Sequence, residues 1–395
     1  MARPWWILPV IVFSQFAGTS LWFAGNAILP DIQESWNLGI ASLGWMSSSV
    51  QLGFIVGTFI SATLTISDRY SPRSIFLLSS LAGAASNFLI LVLDGSMQNL
   101  LILRFSTGFF LAGIYPIGMK IAAGWYDKGL GRALGFLVGA LVLGTAFPHL
   151  VKGFGSGLPW EKVITAVSLL AASGGLAMFL LVPDGPYHTT STKFNWSAIQ
   201  QVFKVKEFRS AALGYFGHMW ELYAFWTFVP FILINFTVVS GHNLNVSILS
   251  FIIIGIGTIG CIAGGMLSDK LGSAKIANSF LLISGICCLL SIFLWELPFI
   301  LFISILLVWG FTVVADSPQF STLNAQTAPK QWVGTGLTIV TSIGFAVSIV
   351  SIELLNFLKE LIEPRFLFLF LIPGPILGLN ALRYLVRSPT TGKSI

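Results

Sequence analysis

The chain has 395 residues, of which 55% are hydrophobic and only 9% are charged. Soluble domains carry about 25% charged residues, so this composition excludes a soluble protein and indicates a chain that lies mostly in lipid. The formal net charge of +6 is explained by basic residues in loops at a membrane surface, and no nucleic-acid partner is needed to account for it.

Apolar stretches long enough to cross a bilayer, which takes about 20 helical residues, follow one another along the whole chain. The first is too long for the core of a signal peptide and has no small-residue cleavage site, so we predict that it is retained. The twelve predicted spans are 5–29, 44–66, 75–94, 99–122, 131–151, 161–182, 210–237, 246–267, 275–295, 298–320, 333–356 and 366–386.

The two halves of the chain repeat each other. After a shift of about 200 positions, identical residues of the two halves coincide. The pairs are Phe16 and Phe216, Pro30 and Pro230, Asp68 and Asp269, Gly108 and Gly310, and Pro116 and Pro318. Each half has six spans and begins on the same side of the membrane. The sequence therefore predicts an all-α membrane protein with twelve transmembrane helices in two parallel six-helix repeats.

A polar stretch separates the repeats. We predict an N-terminal six-helix bundle at 1–182, a cytoplasmic linker at 183–209 and a C-terminal six-helix bundle at 210–395. The linker contains prolines and threonines, followed by a mixed polar and apolar segment that can form one short amphipathic helix on the membrane surface.

Basic residues predict the orientation. With the N-terminus inside, only Lys152, Lys162, Lys359 and Arg365 of the 21 lysines and arginines fall in loops on the far side. Because cytoplasmic loops are enriched in lysine and arginine, we expect both termini in the cytoplasm and the chain in the plasma (inner) membrane.

Several chemistries have no support in the sequence. It contains no phosphate-binding glycine loop followed by lysine, no cluster of metal-ligating residues and no serine–histidine–acid set in a soluble domain. The three cysteines lie in apolar spans, where we expect them to pack as small residues rather than to form disulfides. We predict no enzyme activity, cofactor or metal.

The loop between spans eight and nine has a sequence that is similar to a known family signature. Gly265–Gly272 reads GMLSDKLG, with Lys275 just after. This segment resembles the loop signature of the major facilitator superfamily. The matching loop of the first repeat keeps Asp68, Arg69 and a later Arg73 but lacks the glycines. In the fourth span, Arg104 followed four residues later by Gly108 is similar to a second signature of the family.

The resemblance implies a membrane transporter whose loops latch one mouth shut. A carboxylate there can accept hydrogen bonds from a helix N-terminus or pair with arginine. The implied gating residues are Asp68, Arg69, Arg73 and Arg132 in the first repeat and Asp269 with Lys270 in the second. The alternative is that these residues only satisfy the rule for basic cytoplasmic loops.

Charged residues inside the spans point to the working site, because an isolated charge at mid-bilayer costs roughly 3 kcal/mol on insertion scales. Glu221 lies near the middle of span seven, and His218 precedes it by three residues on the same helix face. We predict that they couple transport to protons or bind solute. The alternative is a structural pair that fixes helix packing. Trp220 beside them can stack on a solute or pack.

Other polar residues complete the predicted site. Arg104 sits in span four, where the resemblance implies proton handling and snorkelling is the alternative. Pro116 and Pro318 interrupt corresponding spans and are assigned to the gate. The neighbouring Tyr115 and Asp316 are candidates for binding the solute or coupling protons, and a place at the gate is the alternative for them. Lys120 is a contact for an anionic solute or an interface residue, and Asn26 and Gln51 are neutral candidates on spans one and two.

These patterns predict a secondary active transporter that moves a small organic solute by alternating access. The site is expected between the two bundles near Glu221, with symport of protons or another coupling cation. Arg104 and Lys120 favour an anionic solute. Alternatives are a drug efflux antiporter, an uncoupled facilitator and a non-transporting receptor on the same fold. The expected partners are the solute, the coupling ion and the lipid bilayer, and the expected state is a monomer.

Overall fold

A computed structural model of the protein describes residues 4–39, 41–93, 95–126, 130–154, 158–187 and 198–387. Within these ranges every regular element is a helix, and twelve of the helical segments are long and apolar enough to cross a membrane. The predicted fold class is confirmed. The chain divides into two compact units, Met1–Lys193 and Phe194–Ile395.

The first unit provides six spans, formed by α1 with α2, α3, α5, α6 with α7, α8 and α9. A short 3-10 helix, Leu89–Leu91, extends α5, and α4 lies in the loop after α3. The helices are α1 (Ile7–Thr19), α2 (Ala24–Trp36), α3 (Ser42–Thr63), α4 (Ile66–Arg69), α5 (Pro72–Phe88), α6 (Met97–Leu111), α7 (Tyr115–Trp125), α8 (Leu130–Gly153) and α9 (Trp160–Leu181).

The second unit provides the other six spans, formed by α11, α12 with α13, α14, α15 with α16, α17, and α18 with α19. Its 3-10 helices are Ser291–Glu296, Lys330–Trp332 and Phe368–Leu371. The helices are α10 (Ala198–Lys204), α11 (Lys206–Ser240), α12 (Val246–Gly255), α13 (Gly257–Leu271), α14 (Ser273–Leu290), α15 (Phe299–Ala315), α16 (Ser317–Thr327), α17 (Val333–Leu358), α18 (Pro364–Leu367) and α19 (Pro373–Arg387).

The predicted linker is only partly visible, because residues 188–197 lie outside the described ranges. After them, α10 is a short helix whose Val202 is fully buried and which packs on α11 and α17. The chain enters α11 at Lys206, before the predicted start of the second bundle at 210. The predicted domain bounds stay a prediction.

Two helix breaks occur at the prolines that were predicted to interrupt spans. The fourth span breaks between α6 and α7, and the tenth between α15 and α16. Pro116 and Pro318 are each the second residue of the helix that follows the break. Proline has no N–H to donate and its fixed φ suits the first helical turn, so it starts the new helix at no cost in hydrogen bonds.

The first spans of the two units differ. In the first unit, α1 ends at Thr19 and α2 begins at Ala24, with tight turns between them. The corresponding stretch of the second unit lies inside α11, an unbroken helix of 35 residues. At 1.5 Å per residue such a helix is about 52 Å long, which exceeds the roughly 30 Å of bilayer hydrocarbon. Its ends therefore project beyond the hydrocarbon.

Matched glycines bring the second and fourth spans of each repeat into backbone contact. A Cβ on Gly108 would stand 1.9 Å from the carbonyl oxygen of Val50, and a Cβ on Gly310 would stand 1.9 Å from that of Ile253. Small residues allow such close approach of membrane helices. The duplication seen in the sequence is thus also a duplication of helix packing.

A lysine on α8 ties that helix to α2. Lys152 Nζ lies 2.7 and 2.8 Å from the two carboxylate oxygens of Asp31 and 3.1 Å from the carbonyl oxygen of Leu158. The two side chains are 18% and 33% exposed, so solvent screens their attraction.

We expect Asp31→Asn to lower the free energy of unfolding by no more than about 1 kcal/mol, as is usual for ion pairs within reach of solvent. Thermal unfolding in detergent measures the change. A loss of several kcal/mol would show that the pair is shielded from solvent.

Candidate functional site

Glu221 lies in the interior of the second unit. It is 1% exposed and sits in α11, about 15 residues from the start of that helix. Three donors from two other helices reach its carboxylate. Trp309 Nε1 of α15 donates to Oε1 at 2.7 Å, Ser284 Oγ of α14 donates to Oε2 at 3.0 Å, and Cys288 Sγ of α14 lies 3.4 Å from Oε1.

Aromatic packing holds the indole donor in place. The Trp309 ring stacks on Phe225 with centroids 4.4 Å apart and meets Phe368 edge-on at 5.9 Å. Trp309 is fully buried. A rigid indole can keep its N–H aimed at one oxygen without losing side-chain entropy when the bond forms.

A pair of titratable residues lies nearby and joins α11 to the junction of α15 and α16. His218 Nδ1 stands 2.8 Å from Asp316 Oδ1, with the two side chains 1% and 0% exposed. The imidazole packs against the rings of Tyr215 and Phe320, at centroid distances of 5.9 and 5.5 Å. Asp316 occupies the junction of α15 and α16, where the N-terminus of α16 favours a negative charge.

The pair has unused hydrogen-bonding capacity. Among the described residues, His218 Nε2 and Asp316 Oδ2 are buried and have no hydrogen-bond partner. An unpartnered buried polar group is costly. The two atoms are therefore positions where a proton or a polar group of a solute would be stabilised.

The expected partnership of His218 with Glu221 differs from what the structure contains. Both lie on α11 three residues apart, but His218 turns to Asp316 whereas Glu221 turns to Ser284, Cys288 and Trp309. Three residues along a helix rotate the side chain by about 60° from the starting direction, which is enough to give the two groups different neighbours. Asp316, predicted as a further site residue with the gate as its alternative, belongs to the same buried group.

Arg104 is the buried cation of the first unit. It is 0% exposed, so it does not snorkel to the membrane surface. Its Nη1 donates to Asn87 Oδ1 at 3.0 Å, and its Nη2 donates to the carbonyl oxygens of Leu21 at 3.0 Å and Trp22 at 2.5 Å. Those carbonyls lie in the break between α1 and α2. The guanidinium therefore stabilises the broken first span.

The two units have buried polar networks at corresponding places. When the two repeats are superimposed in sequence, Glu221 corresponds to Leu21 and Cys288 corresponds to Asn87. Arg104 donates hydrogen bonds to the carbonyl oxygen of Leu21 and to the side chain of Asn87. Each network joins the first, third and fourth spans of its own unit. One is built around a guanidinium and the other around a carboxyl group, so the two units have buried polar centres of different chemistry at matching places.

Comparison with known proteins identifies the family. The sequence profile of the Major Facilitator Superfamily matches residues 11–352. The chain belongs to the major facilitator superfamily. Its members are transporters, and this chain is a multi-pass membrane transporter of solutes.

Solved structures of the superfamily share its fold at low sequence identity. The human organic anion transporter MFSD10 (TETRAN) is 16% identical, with 96% of this chain and 100% of that chain covered and a TM-score of 0.75. A mutant of the nucleoside transporter NupG is 14% identical over 97% and 100%, with a TM-score of 0.72. A bacterial homologue of the human lysosomal transporter Spinster, inward-facing and unoccupied, is 14% identical over 98% and 96%, with a TM-score of 0.68.

The remaining predicted site residues of this superfamily member lie in several surroundings. Asn26 Nδ2 donates to Ser47 Oγ at 2.8 Å and so joins α2 to α3. Gln51 is buried in α3, and Tyr115 and Lys120 are partly buried in α7. Trp220 Nε1 donates to the carbonyl oxygen of Phe370 at 2.9 Å. Trp220 thus packs within its own unit, as one of its two predicted roles requires.

The predicted gating residues of the first unit have other neighbours. Arg73 Nε lies 3.9 Å from Asp184 Oδ2, and its guanidinium carbon lies 5.3 Å from the centre of the Phe179 ring. Arg69 and Arg132 are exposed. Asp68 is in α4, but its side chain lies outside the described part of the structure. Whether these residues latch the transporter stays a prediction.

The signature loop of the second unit ends a helix. Asp269 and Lys270 are exposed in the last turn of α13. Gly272 follows with φ of 85°, a conformation that glycine adopts without strain, and its N–H donates to the carbonyl oxygen of Ser268 at 2.9 Å. The family glycine is thus explained by local geometry, and the latch role of Asp269 stays a prediction.

Sequence reasoning missed the hydrogen-bond partners of both buried charged residues. Trp309, Ser284, Cys288 and Asn87 were not singled out, since tryptophan, serine, cysteine and asparagine are ordinary residues of membrane helices. One signal was available. The repeat offset places Cys288 opposite Asn87, so the partners of one network predict the location of the other.

Proposed function

We propose that this member of the superfamily is a proton-coupled transporter, a symporter that accumulates a small organic solute by alternating access. The observation that carries the proposal is the buried group of His218, Glu221 and Asp316. Two acids and an imidazole in one apolar interior can hold different numbers of protons. Each added proton changes the charge that the interior must accommodate, which links protonation to conformation.

The solute is proposed to be small and organic, with an anion favoured. Lys120, partly buried in α7, supports an anion as one candidate contact. Arg104 has its terminal amino groups bound to protein acceptors, so we assign it a positioning role instead. Structural similarity to an organic anion transporter and to a nucleoside transporter suggests which compounds to test first.

The test uses the full chain in proteoliposomes, with para-aminohippurate and uridine as the first probes. Thermal stabilisation in detergent selects the probe, since only a ligand of the folded state raises stability. Uptake is then measured with the outside more acidic than the inside. We expect accumulation above the equilibrium level and an acidification of the lumen that depends on added solute. Both should be absent from protein-free liposomes, because they report solute and proton entering together through the protein.

Two substitutions separate proton coupling from simple binding. Asp316→Asn and Glu221→Gln keep the shape of each side chain but remove its titration. We expect each to reduce accumulation to the equilibrium level while the probe still stabilises the protein. Asp31→Asn, an acid at the end of the first span, is the matched control and should accumulate like the wild type.

Other results would contradict the proposal. Unchanged accumulation in both variants would remove these acids from the coupling. Equal uptake with and without the gradient would indicate a facilitator. Accumulation only when the inside is acidic would indicate an antiporter, as in drug efflux. Stabilisation by a probe without any transport of it would indicate a receptor.

A further inference from the structure

The two oxygens of the Glu221 carboxylate have different partners. Oε1 receives Trp309 Nε1 at 2.7 Å and lies 3.4 Å from Cys288 Sγ. An indole nitrogen only donates. With the indole and the thiol both directed at Oε1, a proton on this oxygen would displace one of them or leave a poorer acceptor for the indole. Oε1 is suited to be an acceptor whether or not the side chain is protonated.

Oε2 has a partner that can act in both directions. Ser284 Oγ lies 3.0 Å from Oε2 and 3.2 Å from the carbonyl oxygen of Leu281 in its own helix. A hydroxyl has one hydrogen to donate and two lone pairs to accept. Serines within helices commonly donate to the carbonyl three or four residues earlier. Ser284 can thus donate to either of its two acceptors.

We propose that Glu221 takes up its proton on Oε2 and that Ser284 is the positioning residue that accommodates it. In the ionised state, Ser284 donates to Oε2. In the protonated state, Oε2–H donates to Ser284 Oγ, and the serine hydrogen turns to the carbonyl oxygen of Leu281. One O–H bond forms on Oε2 as a hydronium ion of the acidic compartment releases its proton, and no bond between heavy atoms changes.

The arrangement satisfies every polar atom of the pair in both states. A buried donor or acceptor left without a partner would penalise one state and hold the proton permanently on or off. A hydroxyl that reverses direction keeps the two states similar in hydrogen bonding. The inference rests on the proposed function, because it specifies how one of the proposed coupling acids carries its proton.

Other titratable groups act on Glu221 from each element around it. Cys287 and Cys288 lie on α14, Asp316 follows α15, and His218 is on the same helix. None of these groups changes the fact that Oε1 of Glu221 faces the indole N–H of Trp309, which can donate but cannot accept. The test therefore reads the hydrogen bonding of the carboxyl rather than its titration midpoint.

Infrared difference spectra of the full chain in lipid, recorded between acidic and alkaline pH, measure the C=O stretch of protonated carboxyl groups. The band absent from Glu221→Gln belongs to Glu221. Trp309→Phe removes a donor to the C=O oxygen and should raise its frequency most. Ser284→Ala removes the acceptor of the O–H and should raise it less. Ser284→Thr keeps the hydroxyl and should leave the band in place.

Ser291→Ala is the matched control, since this buried serine donates to the carbonyl oxygen of Cys288 at 2.7 Å and should not affect the band. A larger rise for Ser284→Ala than for Trp309→Phe would place the proton on Oε1 and overturn the inference, as would no rise for Ser284→Ala. No band sensitive to Glu221→Gln at any pH would also overturn it, while the transport assay still decides whether protons are coupled.

Discussion

Replacing Gly108 or Gly310 by alanine is expected to destabilise the protein by about 3 kcal/mol, at the upper end of the usual cost of overpacking a core. The new Cβ would stand 1.9 Å from the carbonyl oxygen of Val50 in the first unit or of Ile253 in the second. These neighbours are backbone atoms, so no side chain can turn away and the two helices must separate. Thermal or denaturant-induced unfolding in detergent measures the loss.

The control for this prediction is Gly265→Ala. Gly265 lies in α13, and a Cβ there would have no neighbour within 4 Å. Alanine favours a helix over glycine by about 1 kcal/mol, so this variant should unfold at the wild-type temperature or slightly above it. If Gly108→Ala and Gly310→Ala were as stable as Gly265→Ala, the close approach of the helices would not be obligatory.

Gly265 also illustrates what the sequence could and could not specify. Glycines cluster in the eighth span, yet only some of them face another helix. A Cβ on Gly260 or Gly264 would meet backbone oxygen at 2.3 or 2.5 Å, whereas Gly265 is open. Which side of a span faces a neighbour depends on tertiary packing, and the weak polarity contrast around an apolar helix leaves this side unmarked in the sequence.

The membrane spans were predictable because each is marked by a long, continuous run of apolar residues. All twelve predicted stretches contain helices suited to cross a membrane. Their ends differ where polar residues continue a helix. The first stretch was predicted to end at residue 29, but α2 runs on to Trp36 and stops where Asn37 adopts a left-handed conformation. Apolar length marks the part in lipid, and the helix continues beyond it.

The partners of the buried charges were not predictable in the same way. Glu221 and His218 are close in sequence, which favoured pairing them, but the bonds that form join residues 88 and 98 positions apart. A single sequence contains the spacing along one helix and not the rotation of one helix against another. The pairing of His218 with Asp316 could not be predicted for the same reason.

Arg104→Ala is expected to lower the free energy of unfolding by more than the substitution of any exposed arginine. Its loss would leave Asn87 Oδ1 and the carbonyl oxygens of Leu21 and Trp22 without their donor, in a part of the unit where Arg104 itself is fully buried. Each buried acceptor without a partner costs roughly 1–3 kcal/mol. Removing a buried charge also recovers its desolvation cost, so we expect a net loss of about 3–5 kcal/mol.

The loss of stability follows from the backbone carbonyl oxygens of Leu21 and Trp22, which need a hydrogen-bond donor. When both partners of a buried pair are side chains, they can be replaced together by apolar residues, often without loss of stability. Backbone carbonyls in a helix break cannot be removed by substitution. Arg104→Lys keeps the charge but has no planar fork to reach acceptors on two sides, so it should fall between the wild type and Arg104→Ala.

Arg132→Ala is the matched control, because Arg132 is an exposed arginine on α8 and surface substitutions usually stay within about 0.5 kcal/mol. Unfolding in detergent compares the three variants, and hydrogen exchange of the amides in residues 20–26 locates the change. We expect faster exchange there in Arg104→Ala, since the carbonyls that the guanidinium binds would no longer hold the break in one geometry. Equal stability of Arg104→Ala and Arg132→Ala would mean that the broken first span keeps its conformation without the arginine.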